Sequence, residues 1–186
     1  MVLSQGDTFP EGVILNHIPI ELGENLDPLT CSIPTTLKLD KLLEENKEGN
    51  TLVVALPGAF TPTCTNNHIP PFLENAGQLK SEKRVKNLVV LTANDAFVLN
   101  AWGKLLLSHT KLAEKIPNIF FASDPNAAFS RENDLSVDAS ANGMGIRTAR
   151  YAILVDNNSR KILYLGKEKA RGVTDSGYEA VIRAKI

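Results

Sequence analysis

Apolar residues along this chain fall into two patterns: short continuous runs, and longer stretches in which they recur every three or four positions. TLVVAL at 51–56, NLVVLT at 87–92 and NIFFAS at 118–123 are runs of the first kind. Each is short and apolar throughout, as a strand covered on both faces must be. YAILVD and KILYLG, at 151–156 and 161–166 with NNSR between them, predict an antiparallel hairpin. Elsewhere the spacing is helical. Asn94 or Asp95 is placed to cap a helix with Phe97, Ala101, Trp102, Leu105 and Leu106 on one face. Asp124 followed by Pro125 reads as a cap with proline at the first helical position. Asp40 is expected to cap a short helix carrying Leu42 and Leu43, and a last helix is expected from near Thr174 or Asp175 to the C-terminus. Residues 17–36, broken by Pro19, Pro28 and Pro34, read as an irregular segment. Strands alternating with helices, with no repeat or low-complexity tract, predict an α/β layer fold in one domain over residues 1–186.

Composition narrows the function classes. Hydrophobic residues make up 43% of the 186 and charged ones 22%. No apolar run approaches the ~18 residues of a membrane span, so none is expected. The start, MVLSQGDTFPEG, has neither a basic nor an apolar leader region, which makes an intracellular, reducing compartment the expectation. Net charge is −1 but unevenly spread: residues 1–50 hold nine acids against Lys38, Lys41 and Lys47, while 141–186 hold nine bases against four acids. That asymmetry either focuses an anionic partner or is plain solvated surface. No basic run is interleaved with aromatics, so a nucleic-acid surface is not expected. Two cysteines, Cys31 and Cys64, are too few for a secreted disulfide scaffold. In a reducing compartment such a pair is expected to be reactive or transient.

Cys64 is the candidate for chemistry. It lies in PGAFTPTCT, at the start of the helix that follows the first central strand, and Pro70 and Pro71 should bend that helix further on. A thiol attacks only as thiolate, and a helix N-terminus favours that anion. Thr61 can set a hydroxyl beside the sulfur, donating to it or to a substrate oxygen, and Pro57, without an N–H, can wall the site against water. A fixed cation is still required. Arg147 and Arg150, at the opening of the YAILVD strand, are the candidates, arginine being the residue that stays charged when dried out. The plain alternative is a buried, inert thiol. His68, four residues after Cys64, shares its helical face and is read as tuning the thiol or packing under it. A Cys64–His68 zinc site would need two further ligands that Cys31, His17, His109 and the carboxylates offer at no familiar spacing, so no metal is expected. His17 and His109 read as ordinary histidines.

At this point PGAFTPTCTNNHIPPF resembles the peroxidatic-cysteine signature of the peroxiredoxins, in particular the peroxiredoxin V type that includes fungal alkyl hydroperoxide reductases. TANDAFVLNAWGK at 92–104, FASDPNAAFSRENDL at 121–135 and RTARYAILVD at 147–156 match further family blocks in the same order. The resemblance implies a thioredoxin-like fold, a central mixed sheet with helices on both faces. It implies reduction of hydrogen peroxide and organic hydroperoxides without metal, haem or other cofactor. By position, Cys64 matches the peroxidatic cysteine, Pro57 and Thr61 the flanking members of its P-x-x-x-T-x-x-C motif, and Arg150 the active-site arginine; Arg147 matches a less central basic position. Substrate preference is expected to depend on pocket shape around Phe60, Phe129 and the loop at 142–148.

The chain departs from part of that family in having no cysteine in GVTDSGYEAV, where many members of the type keep a resolving cysteine. Cys31, in PLTCSIPTT, instead resembles the N-terminal resolving cysteine of a yeast cytosolic thioredoxin peroxidase of this type. That implies a Cys31–Cys64 disulfide across a homodimer, reduced by thioredoxin. Two alternatives stay open: a one-cysteine peroxidase reduced by an external thiol, and a redox-relay or chaperone protein with little turnover. Ala184-Lys185-Ile186 at the end resembles a peroxisomal address, so location is read as cytoplasmic, peroxisomal or both.

Overall fold

The computed structural model describes residues 2–23, 26–170 and 172–186. Strands β1 (Ile14–His17) and β2 (Thr35–Lys38) precede helix α1 (Leu39–Glu45) and strand β3 (Asn50–Ala55). A π-helical turn (Thr63–His68) runs into α2 (Ile69–Glu74) and α3 (Ala76–Glu82). There follow β4 (Val85–Thr92), α4 (Ala96–His109), β5 (Asn118–Ser123) and α5 (Ala128–Glu132). The short strands β6 (Ser136–Asp138) and β7 (Ile146–Thr148) lead to β8 (Tyr151–Asp156), β9 (Ile162–Lys167) and α6 (Tyr178–Arg183).

Seven strands form one sheet in the order β2-β1-β5-β4-β3-β8-β9, and β6 pairs with β7 apart from it. The central β3, β4 and β5 are parallel, while β8, β9, β1 and β2 join antiparallel. Because side chains alternate across a strand, the continuous apolar runs feed two cores at once. Leu52, Val54, Leu88, Val90 and Leu154 meet Phe72, Leu79, Trp102 and Val181 of α2, α3, α4 and α6 on one face. Val53, Ala55, Val89, Leu91 and Ile153 meet Leu39, Leu42 and Leu43 of α1 and Phe129 of α5 on the other. Each fully buried Val, Leu or Phe contributes about 1.5–3 kcal/mol by leaving water, which is why strands buried on both faces anchor the molecule. The result is the mixed sheet with helices on both faces implied by the resemblance.

Local expectations fail at identifiable places. The segment read as irregular is bounded by the four-residue strands β1 and β2, too short to announce themselves; residues 24 and 25 within it lie outside the described residues. Helix α4 is capped by Asp95, whose carboxylate accepts from the N–H groups of Phe97 and Val98, but it buries Leu99, Trp102, Gly103, Leu106 and Leu107. Phe97 is instead 53% exposed. Asp40 does not cap α1. It lies in the first turn, where its carboxylate accepts from Gly12 N–H at 2.8 Å and pairs with Arg160 at 2.7 Å. The last helix starts at Tyr178 and ends at Arg183, later and earlier than expected, because Thr174 and Ser176 spend their donors on Glu168. Asp124 caps at longer range, accepting from the N–H groups of Phe129 and Ser130 beyond the 3-10 turn at Pro125–Ala127.

Candidate active site

The register of the sheet sets the site. Strand β8 runs antiparallel to β3 with Tyr151 opposite Ala55, so Arg150, entering β8, lies beside the chain leaving β3 at Leu56 and Pro57. The Thr148 hydroxyl donates to the Leu56 carbonyl and strengthens that junction. From there the chain turns sharply, with Phe60 in the left-handed region at φ 59°. Three bonds hold the turn: Ala59 N–H donates to Asn94 Oδ1 at 3.0 Å, the Thr61 hydroxyl to the Gly58 carbonyl at 2.8 Å, and Thr65 N–H to the Thr61 carbonyl at 2.9 Å. Asn94, one of two residues expected to cap α4, is thus used to brace this turn. The helix then opens with a wide turn in which Ile69 N–H reaches back to the Cys64 carbonyl. Such π turns are rare and cluster at functional sites.

Cys64 is 1% exposed, in the core on the α2 side of the sheet. Arg150 Nη1 donates to its sulfur at 3.3 Å and lies 3.0 Å from His68 Nδ1. The guanidinium thus sets a fixed positive charge and a donor against the sulfur. His68 is fully buried, with Nε2 3.1 Å from the Ser176 carbonyl. Burial, reinforced by the Arg150 charge and opposed by the Ser176 bond and Glu168, lowers its pKa to about 4. The imidazole is therefore neutral near pH 7. Burial pushes the Glu168 carboxyl up, but the N–H and hydroxyl groups of Ser176 and Thr174 outweigh it and hold it below its ordinary value.

A groove of about 660 Å³ opens beside the turn, lined among others by Pro57, Thr61, Met144, Ala149, Arg150 and Glu168. Pro57, Thr61, Cys64 and Arg150, singled out separately in the sequence, meet here. Other expectations are corrected. The Thr61 hydroxyl gives its hydrogen to Gly58 rather than to the sulfur, which leaves its oxygen as an acceptor on the groove wall. Arg147 is not the cation at the sulfur; it donates through Nε to the Met144 carbonyl. Phe129 is packed at 5.7 Å against Phe9 on the opposite face of the sheet and shapes no part of this groove. Phe60 is 54% exposed and packs on Trp102. Cys31 is exposed and in no disulfide, in the stretch between β1 and β2. A second groove, of about 420 Å³ against residues 17–22 and 116–121, contains neither cysteine nor arginine. Among the described residues no cluster of three or more His, Cys, Asp or Glu side chains is placed to hold a metal ion, and no helix is long and apolar enough to cross a membrane.

Comparison with known proteins assigns the class. The Redoxin family model matches residues 4–182. A protein of Lipomyces kononenkoae named as a peroxisomal peroxiredoxin is 45% identical over 96% of this chain and 98% of its own. Peroxiredoxin Pen c 3 of Penicillium citrinum is 37% identical over 92% and 91%. Among solved structures, reduced Prx3 of Vibrio vulnificus in complex with hydrogen peroxide superimposes with a TM-score of 0.74 at 28% identity, covering 97% of this chain and 98% of that one. The chain belongs to the Redoxin family and, within it, to the peroxiredoxins. Its activity is that of a thiol peroxidase, with a hydroperoxide as substrate.

Sequence reasoning missed the residues that join Arg150 to the rest of the molecule. Ser176 and Glu168 carry no local motif, and they reach His68 and Arg150 only because β9 returns beside β8: Glu168 N–H donates to the Arg150 carbonyl at 3.0 Å. Met144 was inside the loop expected to shape the pocket but had no signal of its own.

Proposed function

We propose that Cys64 is the thiol by which this peroxiredoxin reduces hydrogen peroxide and organic hydroperoxides, with Arg150 as its fixed cation, Thr61 as substrate acceptor and Pro57 as the wall of the site. The observation that carries this reading is the 3.3 Å contact between Arg150 Nη1 and a sulfur buried at the floor of a turn. The Cys64 thiolate attacks the terminal oxygen of the hydroperoxide: an S–O bond forms as the O–O bond breaks. The departing alkoxide or hydroxide takes a proton and leaves as alcohol or water. Arg150 steadies charge on that oxygen. Thr61 Oγ, its hydrogen already committed, accepts from the substrate hydroxyl and orients it.

The Cys64 sulfenic acid then meets Cys31 of a second copy. A disulfide forms, water leaves, and thioredoxin reduces the disulfide by thiol exchange. Supporting a homodimer, Cys31 is flanked by Leu29 and Ile33, which are 87% and 84% exposed. Residues 1–186 act as one catalytic domain in this reading. Coupled oxidation of NADPH through thioredoxin and its reductase tests it: steady, peroxide-dependent turnover that vanishes in Cys64→Ser supports the enzyme, and negligible turnover by the intact protein supports a redox relay. On a non-reducing gel after peroxide, covalent dimer from the wild type and none from Cys31→Ser supports Cys31 as resolver. Equal behaviour of the two supports a one-cysteine enzyme. Peroxisomal location is supported by the name of the Lipomyces protein and by Ala184-Lys185-Ile186. A fluorescent fusion with and without those three residues tests it.

A further inference from the structure

We propose that His68 is a positioning residue for Arg150, holding the guanidinium at the Cys64 sulfur by accepting one of its hydrogens, while Ser176, tied down by Glu168, holds His68. This rests on the reading of Cys64 and Arg150 given above.

The argument begins with a count of hydrogens. Arg150 Nη1 carries two, and its two neighbours are Cys64 Sγ at 3.3 Å and His68 Nδ1 at 3.0 Å. A guanidinium nitrogen cannot accept, so Nδ1 must. The ring proton then belongs on Nε2, which lies 3.1 Å from the Ser176 carbonyl, an oxygen that can only accept. Both partners thus demand the same tautomer. The Ser176 hydroxyl gives its hydrogen to Glu168 at 2.8 Å, so its oxygen, 3.3 Å from Nε2, can also only accept from the ring and demands the same tautomer.

A competing role for His68, as base for the Cys64 thiol, does not suit its surroundings. Burial and the Arg150 charge lower the imidazole's pKa to about 4 even with Glu168 opposing them, so it is a weak proton acceptor at neutral pH. What it offers is a fixed lone pair. Its ring is held edge-on to Phe72, which is edge-on to Tyr178, so the lone pair has little freedom to wander.

The far side of the ring rests on a loop that is itself tied down. Glu168 collects the N–H and hydroxyl groups of both Thr174 and Ser176. Tyr164 donates to the Asp175 carbonyl. The loop lies so close to β9 that a Cβ at Gly166 would run into that same carbonyl. Glu168 also touches the Arg150 backbone, so one acidic residue fixes both ends of the Arg150–His68 contact. An arginine on a long, rotatable stem needs such a partner to present one hydrogen steadily to a reacting sulfur.

The test compares His68→Phe, which keeps a ring against Phe72 but has no acceptor, with His68→Asn, whose Oδ1 can replace Nδ1. Single-turnover oxidation of Cys64 by peroxide and unfolding by denaturant are measured for both, with Arg150→Ala alongside. His68→Phe should slow oxidation by about tenfold to a hundredfold, the range for losing a bond to a charged group, while His68→Asn stays within about threefold of wild type. Should His68→Phe not fold, His68→Leu takes its place. A wild-type rate in the acceptor-less variant, or equal losses in both variants that follow their stabilities, would overturn the inference. If Arg150→Ala also reacts at the wild-type rate, the failure lies in the reading of the site beneath it.

Discussion

The two cysteines of this chain occupy opposite environments. Cys64 is 1% exposed, inside a core built from a central strand, a braced turn and a helix, with a guanidinium at 3.3 Å. Cys31 is exposed between the four-residue strands β1 and β2, and among the described contacts its thiol meets no more than the Leu29 carbonyl at 3.7 Å. Its segment is attached to the body by Lys104, 8% exposed on α4, which donates to the carbonyls of Asp27 and Thr30 at 3.3 and 2.7 Å. In the function proposed above, this contrast is how one fold would divide a two-thiol reaction. A thiol that must attack needs fixed electrostatics, which only tertiary structure supplies. A thiol that must travel to meet it needs exposure and few anchors. It also raises a demand: a sulfur this deeply buried must emerge before another chain's thiol can reach it. The wide π turn at Thr63–His68, which carries the sulfur, is the natural place to loosen.

Substitutions that exchange or erase this contrast should have graded effects. Cys64→Ser should abolish peroxide turnover, whereas Cys31→Ser should leave the first oxidation at its wild-type rate; stopped-flow oxidation separates the two. Arg150→Ala should cost about 1.5–3 kcal/mol of transition-state stabilisation, roughly tenfold to a hundredfold in the rate of Cys64 oxidation, read by stopped-flow. The buried side should also respond to acid. His68 stays neutral in the folded protein down to about pH 4, against an ordinary value of 6.5. Between those values the unfolded chain binds the proton and the folded one does not. Stability present above the ordinary value is therefore lost as pH falls through this window, by on the order of 3 kcal/mol, and denaturant midpoints across it should show the slope flatten in His68→Phe. The smallest effect belongs to the exposed side. Lys104→Met should loosen residues 26–34 by about 1–2 kcal/mol, seen as faster amide exchange there, with Cys64 oxidation unchanged.

How much of this was legible depended on distance along the chain. NIFFAS and YAILVD coincide with β5 and β8 because strands buried on both faces write their burial into consecutive residues. The turn at Cys64 was visible because Pro57, Thr61 and the cysteine lie within eight positions of one another. The pairing of Arg150 with that turn was read from a motif, but it is the Ala55–Tyr151 register that produces it. His68 could be seen to share a face with Cys64. Its bonds to Arg150 and Ser176, 82 and 108 positions away, leave no local pattern. Asp40 and Thr174 each matched a cap locally but were claimed by another partner: Asp40 by Arg160, 120 positions away, and Thr174 by Glu168, six positions back across the loop.

The division of labour between the two thiols is tested most directly by intact mass after one equivalent of hydrogen peroxide, taken on Cys31→Ser and Cys64→Ser side by side. Cys31→Ser should gain one oxygen atom, mapped to Cys64, and Cys64→Ser should stay unmodified. Oxygen gained at Cys31 in Cys64→Ser, with Cys64 untouched in the other variant, would contradict the assignment of the buried thiol as the one that attacks.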